Sequence, residues 1–234
     1  MADIFLLAVI AVTAYLVAAE GAWGAATTFI ASIISGLLAT SYFETLADSL
    51  AASVDGSFVW QMRWDIIAFL GLFAASITIF RLVAEKLQPT ELQIDGKAHD
   101  IACWGCGLGT GYVVGCLMAV ALHLAPAPRT YLGFVPEQPR LFGLARLDMQ
   151  WLGYAHRMSE GPLATTQNGV PVVFDGNVYK TTRSQPAQWF PDFPMRYALR
   201  REQFASGSQP LPGGARPAGP TGPPRGRARS QQSF

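Results

Sequence analysis

A run of 26 residues from Ile101 to Pro126 contains no Asp, Glu, Lys or Arg. As an α-helix, such a run is long enough to cross the ~30 Å hydrocarbon core of a bilayer. It also contains five glycines, each of which would cost a helix in water about 1 kcal/mol relative to alanine. In lipid the backbone has no other hydrogen-bond partner, and small residues let helices approach closely. The sequence therefore predicts a membrane helix that packs tightly on other helices.

Small residues recur at every fourth position in two apolar runs, and this spacing predicts packing ridges. The first ridge comprises Gly24, Thr28, Ser32, Gly36 and Thr40; the second comprises Cys103, Gly107, Gly111, Gly115 and Ala119, and Gly105 and Gly109 begin a third. Such ridges favour the right-handed crossing of small-xxx-small helix pairs. We expect the first two ridges to face each other near Ser32 and Gly111. The alternative is that one of them faces outward and forms a homodimer.

Composition agrees with a membrane location. Charged residues make up 14% of the chain, whereas a soluble domain averages about a quarter. Hydropathy predicts an all-α membrane protein whose first 126 residues form a four-helix transmembrane domain. The chain opens with Met-Ala-Asp, which lacks the positive segment of a signal peptide, so the first helix is expected to be uncleaved. The predicted helices are residues 4–19, 22–43, 64–84 and 101–125, with a polar connection at 44–63 and a charged loop at 81–100.

Residues 127–204 are predicted to form an extension outside the membrane. Leu141 to Met158 has apolar residues at a period near 3.6, which predicts an amphipathic helix on the membrane surface or capping the bundle. Residues 170–182 predict a short hairpin around Asp175-Gly176-Asn177. Residues 205–234 contain six Pro, six Gly, four Ser and four Arg, a composition that predicts a disordered tail.

Asp65 and His123 are the polar candidates inside the predicted spans. An ionisable residue within a span is a functional candidate by default. Each lies close to an end of its span, however, so we expect both side chains to reach the membrane interface.

All three cysteines lie in the 101–126 run, and Cys103 and Cys106 form a CxxC. This spacing raises the hypothesis of a membrane thiol oxidoreductase, which would need a second cysteine pair to relay electrons. Cys116 is the one cysteine left. We therefore expect free thiols that act as small packing residues, with no metal and no cofactor.

The arrangement resembles the colicin V production (CvpA) family of bacterial inner-membrane proteins. The resemblance rests on Gly21 and Gly24 in the first turn and on Asp100, Gly105 and Gly109 at the start of the fourth helix. Glu20 stands where that family usually carries a basic residue. The resemblance covers residues 1–126 and implies four membrane helices and a link to toxin production, export or envelope physiology. It carries over no catalytic residue.

Three functions remain open at this stage. The first is a non-enzymatic accessory or scaffold protein, favoured by the packing ridges and by an expected absence of buried paired charges. The second is a transporter or channel, which would require Asp65, His123 and the Ser/Thr ridge to line a water-wide cavity. The third is the thiol oxidoreductase. The expected partners are the lipid bilayer and either a second copy or other membrane proteins, and no nucleic acid.

Overall fold

The structure is a computed structural model dominated by six helices. It describes residues 2–54, 58–87, 96–127, 143, 145–162, 165–167, 170–172, 174, 178–179, 188–189 and 192–206. The helices are α1 (Ala2–Ala18), α2 (Gly21–Ser53), α3 (Phe58–Leu87), α4 (Lys97–Leu124), α5 (Leu147–Glu160) and α6 (Asp192–Ser206). The strands are β1 (Thr165–Gln167), β2 (Val170–Val172), β3 (Val178–Tyr179) and β4 (Gln188–Trp189).

The prediction of an all-α membrane protein is confirmed. By length and composition, α2, the segment Arg63–Leu87 of α3, and α4 could each cross a membrane. The N-terminal helix α1 is apolar but shorter, with 17 residues. At 1.5 Å per residue it is about 25 Å long, slightly less than the hydrocarbon thickness.

The second and third helices are longer than hydropathy indicates. The stretch 44–63 was expected to be a connection, but α2 continues to Ser53 and α3 already begins at Phe58. The reason is local amphipathicity: Phe43 and Ala47 are buried, and Leu50 packs against them at helical spacing. The polar residues within 44–63 lower the mean hydropathy of this stretch, so hydropathy alone indicates a loop there.

The helices associate mainly as two pairs, α1 with α4 and α2 with α3, and α2 also packs on α4. The buried core is not confined to the four apolar helices. Leu147, Trp151, Phe193 and Tyr197 of the extension belong to the same cluster as Phe43 and the C-terminal half of α4. The extension is therefore packed onto the end of the bundle at which α3 begins and α4 ends.

The amphipathic helix of the extension starts later than predicted. Its expected start was Leu141, but α5 begins at Leu147. Gly143 has a φ of +88°, in the left-handed region, which breaks any helix through this point. The apolar face of α5 packs on α4 and α2, so this helix caps the bundle.

The described strands do not pair as the predicted hairpin within 170–182 requires, and its turn, residues 175–177, lies outside the described residues. Strand β2 pairs with β1, with Gln167 opposite Val170, and β3 pairs with β4. In the sequence, Asn-Gly lies between β1 and β2, and this dipeptide is the strongest sequence signal for a hairpin. The Asp175-Gly176-Asn177 segment gives a competing turn signal further along the chain.

Helix α6 has no counterpart among the predicted elements. Its sequence is polar on average, so it gives no hydropathy signal. The remainder of the predicted tail, residues 207–234, lies outside the described residues, as do residues 128–142 of the connector and residues 88–95 of the charged loop.

Candidate functional site

The glycine ridge of α4 forms a close seam with α1. A Cβ atom built on Gly111 would lie 2.5 Å from the carbonyl oxygen of Ile10, and one on Gly107 would lie 2.6 Å from the carbonyl oxygen of Ala14. At Gly115 the same atom would lie 2.5 Å from Cγ1 of Ile10. Real Cβ atoms do not come so close, so only glycine fits at these positions. The two helices run antiparallel with their backbones in near contact.

The expected contact between Ser32 and Gly111 is therefore wrong. Gly111 faces Ile10 and Ala14 of α1 instead of α2. The partner ridge consists of Ala14 and Ala18, four residues apart in α1, which let the α4 backbone approach. Those alanines look like ordinary apolar residues in a short helix, which is why the ridge of α2 appeared to be the better partner.

Two residues of the α2 ridge, Gly36 and Thr40, contact the extension. Gly36 accommodates Trp151 of α5: a Cβ there would lie 2.6 Å from Cζ2 of the indole ring. The indole Nε1 of Trp151 donates a hydrogen bond of 2.9 Å to Oγ1 of Thr40, whose own hydroxyl donates to the carbonyl of Gly36. Gly36 and Thr40 thus form the binding place for one aromatic side chain.

The other ridge residues have different surroundings. Ser32 is buried and its hydroxyl donates to the carbonyl of Phe29 at 2.7 Å. Near Gly24, the nearest side chain to an added Cβ is that of Glu20, at 3.0 Å, and Thr28 donates to Oε2 of Glu20. Gly109 packs against the ring of Phe29: a Cβ built on Gly109 would lie 2.7 Å from Cε2 of that ring.

Gly105 departs from its predicted role. An added Cβ at this position would have nothing within 4 Å. Gly105 is exposed on the outer face of α4, so it does not contribute to helix packing as expected.

Asp65 of α3 is buried beneath α6. It is 3% exposed, and its Oδ2 accepts a hydrogen bond of 3.0 Å from Nη1 of Arg200. The expectation that Asp65 reaches the membrane interface is wrong because α6 covers it. An ion pair of this kind is costly to break from one side, since the remaining charge stays buried.

A second arginine of α6 forms an ion pair with α2. Nη1 of Arg196 lies 3.2 Å from Oε1 of Glu44, and the hydroxyl of Tyr197 lies 3.5 Å from the same oxygen. The guanidinium of Arg200 stacks 5.1 Å from the centroid of the Tyr197 ring. Burial, together with the nearby carboxylates, raises the pKa of Tyr197 well above its usual range, so its phenol stays neutral.

The third arginine of α6 contacts the end of α4. Arg201 is 0% exposed, and its Nη1 donates to the carbonyl of Leu122 at 3.3 Å. The last carbonyls of a helix have no partner within it and carry the negative end of the helix dipole. The buried guanidinium of Arg201 donates a hydrogen bond to one of these carbonyls and also places a positive charge at the negative end of the dipole.

His123 joins α4 to α5. Its Nε2 lies 2.8 Å from Oδ2 of Asp148, and both residues are buried, with His123 at 0% exposure. A carboxylate accepts, so the imidazole N–H donates. The expectation that His123 reaches the interface is wrong for the same reason as for Asp65: the extension covers this end of the bundle.

Together these contacts define a socket that receives α6. We use "socket" for Phe43, Glu44, Asp65, Leu122 and His123, which meet α6 through rings, carboxylates and a carbonyl. The expected absence of buried paired charges is therefore wrong. The signal that could have found α6 is the spacing of Phe193, Arg196, Tyr197, Arg200 and Arg201, which places all five on one face of a helix.

The opposite end of the bundle has its own ion pair. Nη1 of Arg81, near the end of α3, lies 2.9 Å from Oε1 of Glu20 in the turn between α1 and α2. Glu20, the acid in this turn, is therefore paired with a base from another helix. This pair is more exposed than the pairs of the socket.

The cysteines and the residues that line a pocket between α2, α4 and α5 are separate from the five residues of the socket. Cys103, Cys106 and Cys116 are free thiols, and Sγ of Cys103 lies 3.4 Å from Nε2 of His99. A pocket of ≈ 280 Å³ lies between α2, α4 and α5, and its walls include Ile33, Tyr112 and Trp151 but not Asp65 or His123. Among the described residues, no group of three or more His, Cys, Asp or Glu side chains is placed to hold a metal ion.

Comparison with known proteins identifies a family for the four apolar helices. The family model described as Colicin V production protein matches residues 2–137, the part of the chain that contains α1 to α4. The comparisons with curated proteins and with solved structures give no match. The match ends before α5 and α6, so all three arginines that fill the socket lie outside it.

Proposed function

The chain belongs to the colicin V production protein family, and from this membership we propose that it is a multi-pass protein of the bacterial inner membrane. We propose further that it acts as a non-enzymatic accessory or scaffold in the production or export of a colicin V-like toxin, or in envelope physiology. The observation that carries the proposal is the family match across all four apolar helices.

Two features of the structure support a scaffold role. The seam between α1 and α4 leaves no room for a side chain at Gly107, Gly111 or Gly115, which favours a fixed arrangement of helices. The socket ties α2, α3 and α4 together through the extension. A rigid bundle with one elaborated end suits a protein that holds partners in place. The bilayer and other membrane proteins, or a second copy, are the partners this role would require.

The other two functions gain no support from the described residues. The test for a transporter was a water-wide cavity lined by Asp65, His123 and the Ser/Thr ridge. Asp65 and His123 are instead held in close contacts with the extension, and the walls of the described pocket are formed by other residues. The thiol oxidoreductase would need a second cysteine pair, and the chain has three cysteines in all.

The proposed role can be tested by complementation. The gene is expressed in a colicin V-producing bacterium that lacks its own member of this family, and the toxin released into the medium is measured. We expect release to rise at least tenfold over the empty vector. The Cys103→Ala/Cys106→Ala variant should restore release equally, since no thiol chemistry is involved. A protein that accumulates in the inner membrane without restoring release would contradict the role.

Membrane placement is measured separately. Fractionation of the host envelope would locate the protein, and reporter fusions at Ala2, Val54 and Ala127, which lie at the start of α1, after α2 and after α4, would count its crossings. Inner-membrane recovery, with all three reporters on the same side, is expected for a four-helix multi-pass protein. Reporters on opposite sides would contradict four crossings.

A further inference from the structure

Helix α6 has the sequence pattern of a helix that binds in a groove. Its contact residues are Phe193, Arg196, Tyr197, Arg200 and Arg201, which stand at positions i, i+3, i+4, i+7 and i+8. This is the spacing by which amphipathic helices present their anchors to a groove. Leu199, on the other side, is 58% exposed. One face of α6 therefore makes the contacts described above.

Each anchor on that face meets a complementary group of the bundle. The ring of Phe193 packs edge-on against Phe43, with centroids 6.1 Å apart. Arg196 and Arg200 each pair with one carboxylate. Nη1 of Arg196 lies 3.2 Å from Oε1 of Glu44, and Nη1 of Arg200 lies 3.0 Å from Oδ2 of Asp65. A pair of aromatic anchors surrounded by charge-assisted hydrogen bonds is the arrangement found at well-defined binding interfaces.

The two sides of this interface come from different parts of the chain. All residues of the socket lie within the matched region 2–137, whereas α6 lies beyond it. A segment of 31 residues, 161–191, separates the end of α5 from the start of α6. The bundle therefore contains the acids, and a separate segment of the chain brings the arginines to them.

We propose that the socket is a recognition site for an arginine-bearing amphipathic helix. In this chain α6 is its ligand, and a partner helix with the same pattern binds there when α6 is displaced. Counted along the helix from its first contact residue, the partner carries aromatic residues at positions 1 and 5 and arginines at positions 4, 8 and 9, as α6 does from Phe193. Arginine is specified over lysine because its planar fork of donors is held rigidly against an acceptor, which is a carboxylate for Arg196 and Arg200 and a helix-end carbonyl for Arg201. The inference concerns binding alone and does not depend on a role in toxin export.

The test uses a labelled peptide with the sequence of residues 192–206 and the full-length protein in nanodiscs. In the wild type the socket is filled by α6, so the peptide should bind weakly. In the variant Arg196→Ala/Arg200→Ala the two arginines of α6 that pair with carboxylates are lost, and fluorescence anisotropy should show at least tenfold tighter peptide binding. Adding Asp65→Asn to that variant should weaken the binding at least tenfold, because the acid that receives Arg200 is gone.

Two controls make the outcome specific. Leu199→Ala changes the exposed side of α6 and should bind the peptide as the wild type does. A peptide carrying Arg200→Gln should bind the double variant at least tenfold more weakly. If the double variant does not fold, as judged by gel filtration and circular dichroism, the single variant Arg200→Gln replaces it, with at least threefold tighter binding expected. Equal peptide binding by the wild type and these variants, or binding that ignores Asp65, would overturn the proposal.

Discussion

Arg200 and Asp65 form an ion pair of 3.0 Å that joins a helix outside the family region to a helix within it. They are 135 residues apart in sequence, yet the carboxylate is almost fully buried by this contact. The four apolar helices therefore do not bury this carboxylate by themselves, and α6 completes its burial.

This pair predicts a large effect of neutralising one partner. Arg200→Gln leaves the Asp65 carboxylate buried without its main counter-charge, and we expect a loss of about 3 kcal/mol in the free energy of unfolding. The measurement is unfolding in mixed micelles, followed by circular dichroism. The matched control is Arg81→Gln, which breaks the more exposed pair with Glu20 and should cost less than about 1 kcal/mol. Similar losses for both variants would contradict the difference in burial.

The seam between α1 and α4 predicts opposite results for two glycines of one helix. Gly111→Ala would place a Cβ 2.5 Å from the carbonyl oxygen of Ile10, so we expect a loss of about 1–3 kcal/mol in stability. Gly105→Ala meets nothing within 4 Å and should be neutral or slightly stabilising. Thermal unfolding of both variants checks this.

The alternative reading of the ridge, a homodimer, is distinguished by molecular mass. Gly111→Leu should unfold the monomer itself. If it instead yields a folded monomer where the wild type is a dimer, by light scattering in detergent, the ridge would serve association between copies.

Trp151 predicts how firmly α5 is held to the bundle. Gly36→Ala would bring a Cβ to 2.6 Å from the indole ring and should displace α5, whereas Gly153→Ala lies on the open side of α5 and should not. We expect faster cleavage at Arg157 by trypsin in the first variant and unchanged cleavage in the second. Equal cleavage rates in the two variants would contradict the prediction that the fit of Trp151 against Gly36 holds α5 to the bundle.

Tyr197 predicts a dependence of stability on alkaline pH. Burial raises the pKa of its phenol in the folded protein, so the folded state holds this proton more tightly than the unfolded state does. The stabilising contribution is complete below the unfolded pKa of about 10 and declines as the pH rises above it. Unfolding measured between pH 8 and 11.5 should show this decline, and Tyr197→Phe should reduce it. An identical pH profile in the variant would contradict the assignment.

Two truncations should separate α6 from the sequence that follows it. Removing residues 207–234 leaves α6 whole, and the Pro- and Gly-rich composition of that tail cannot bury a core, so the melting temperature should not change. Removing residues 192–234 exposes Glu44 and Asp65 and should lower it by several degrees. A large drop with the shorter deletion would show that the tail docks.

The sequence predicts the apolar helices well because their signal is local. The uncharged run of α4 is long enough to span a bilayer, and this can be read from its own residues whatever surrounds it in the structure. Glycine at every fourth position also indicates close packing from α4 alone. The partner of that packing is not local: Ala14 and Ala18 differ little from other alanines until α4 lies against them.

The socket was missed for a different physical reason. Asp65 and His123 each lie near the end of a span, from which a polar side chain can reach water at little cost. Their actual surroundings come from Arg200 and Asp148, which lie in segments that hydropathy does not assign to the bundle. Helix α6 is polar on average, so its apolar and basic face appears only when positions are read at helical spacing.

The seam between α1 and α4 also bears on the order in which the protein is made. Ile10 and Gly111 are among the first and last parts of the four-helix domain to leave the ribosome, about 100 residues apart. At the roughly 5–20 residues per second of synthesis, α1 waits at least 5 seconds for its partner. During that time its small-residue face is open to lipid or to the insertion machinery. The bundle can close only after the fourth helix has entered the membrane, so insertion of α4 is the step that commits the chain to its fold.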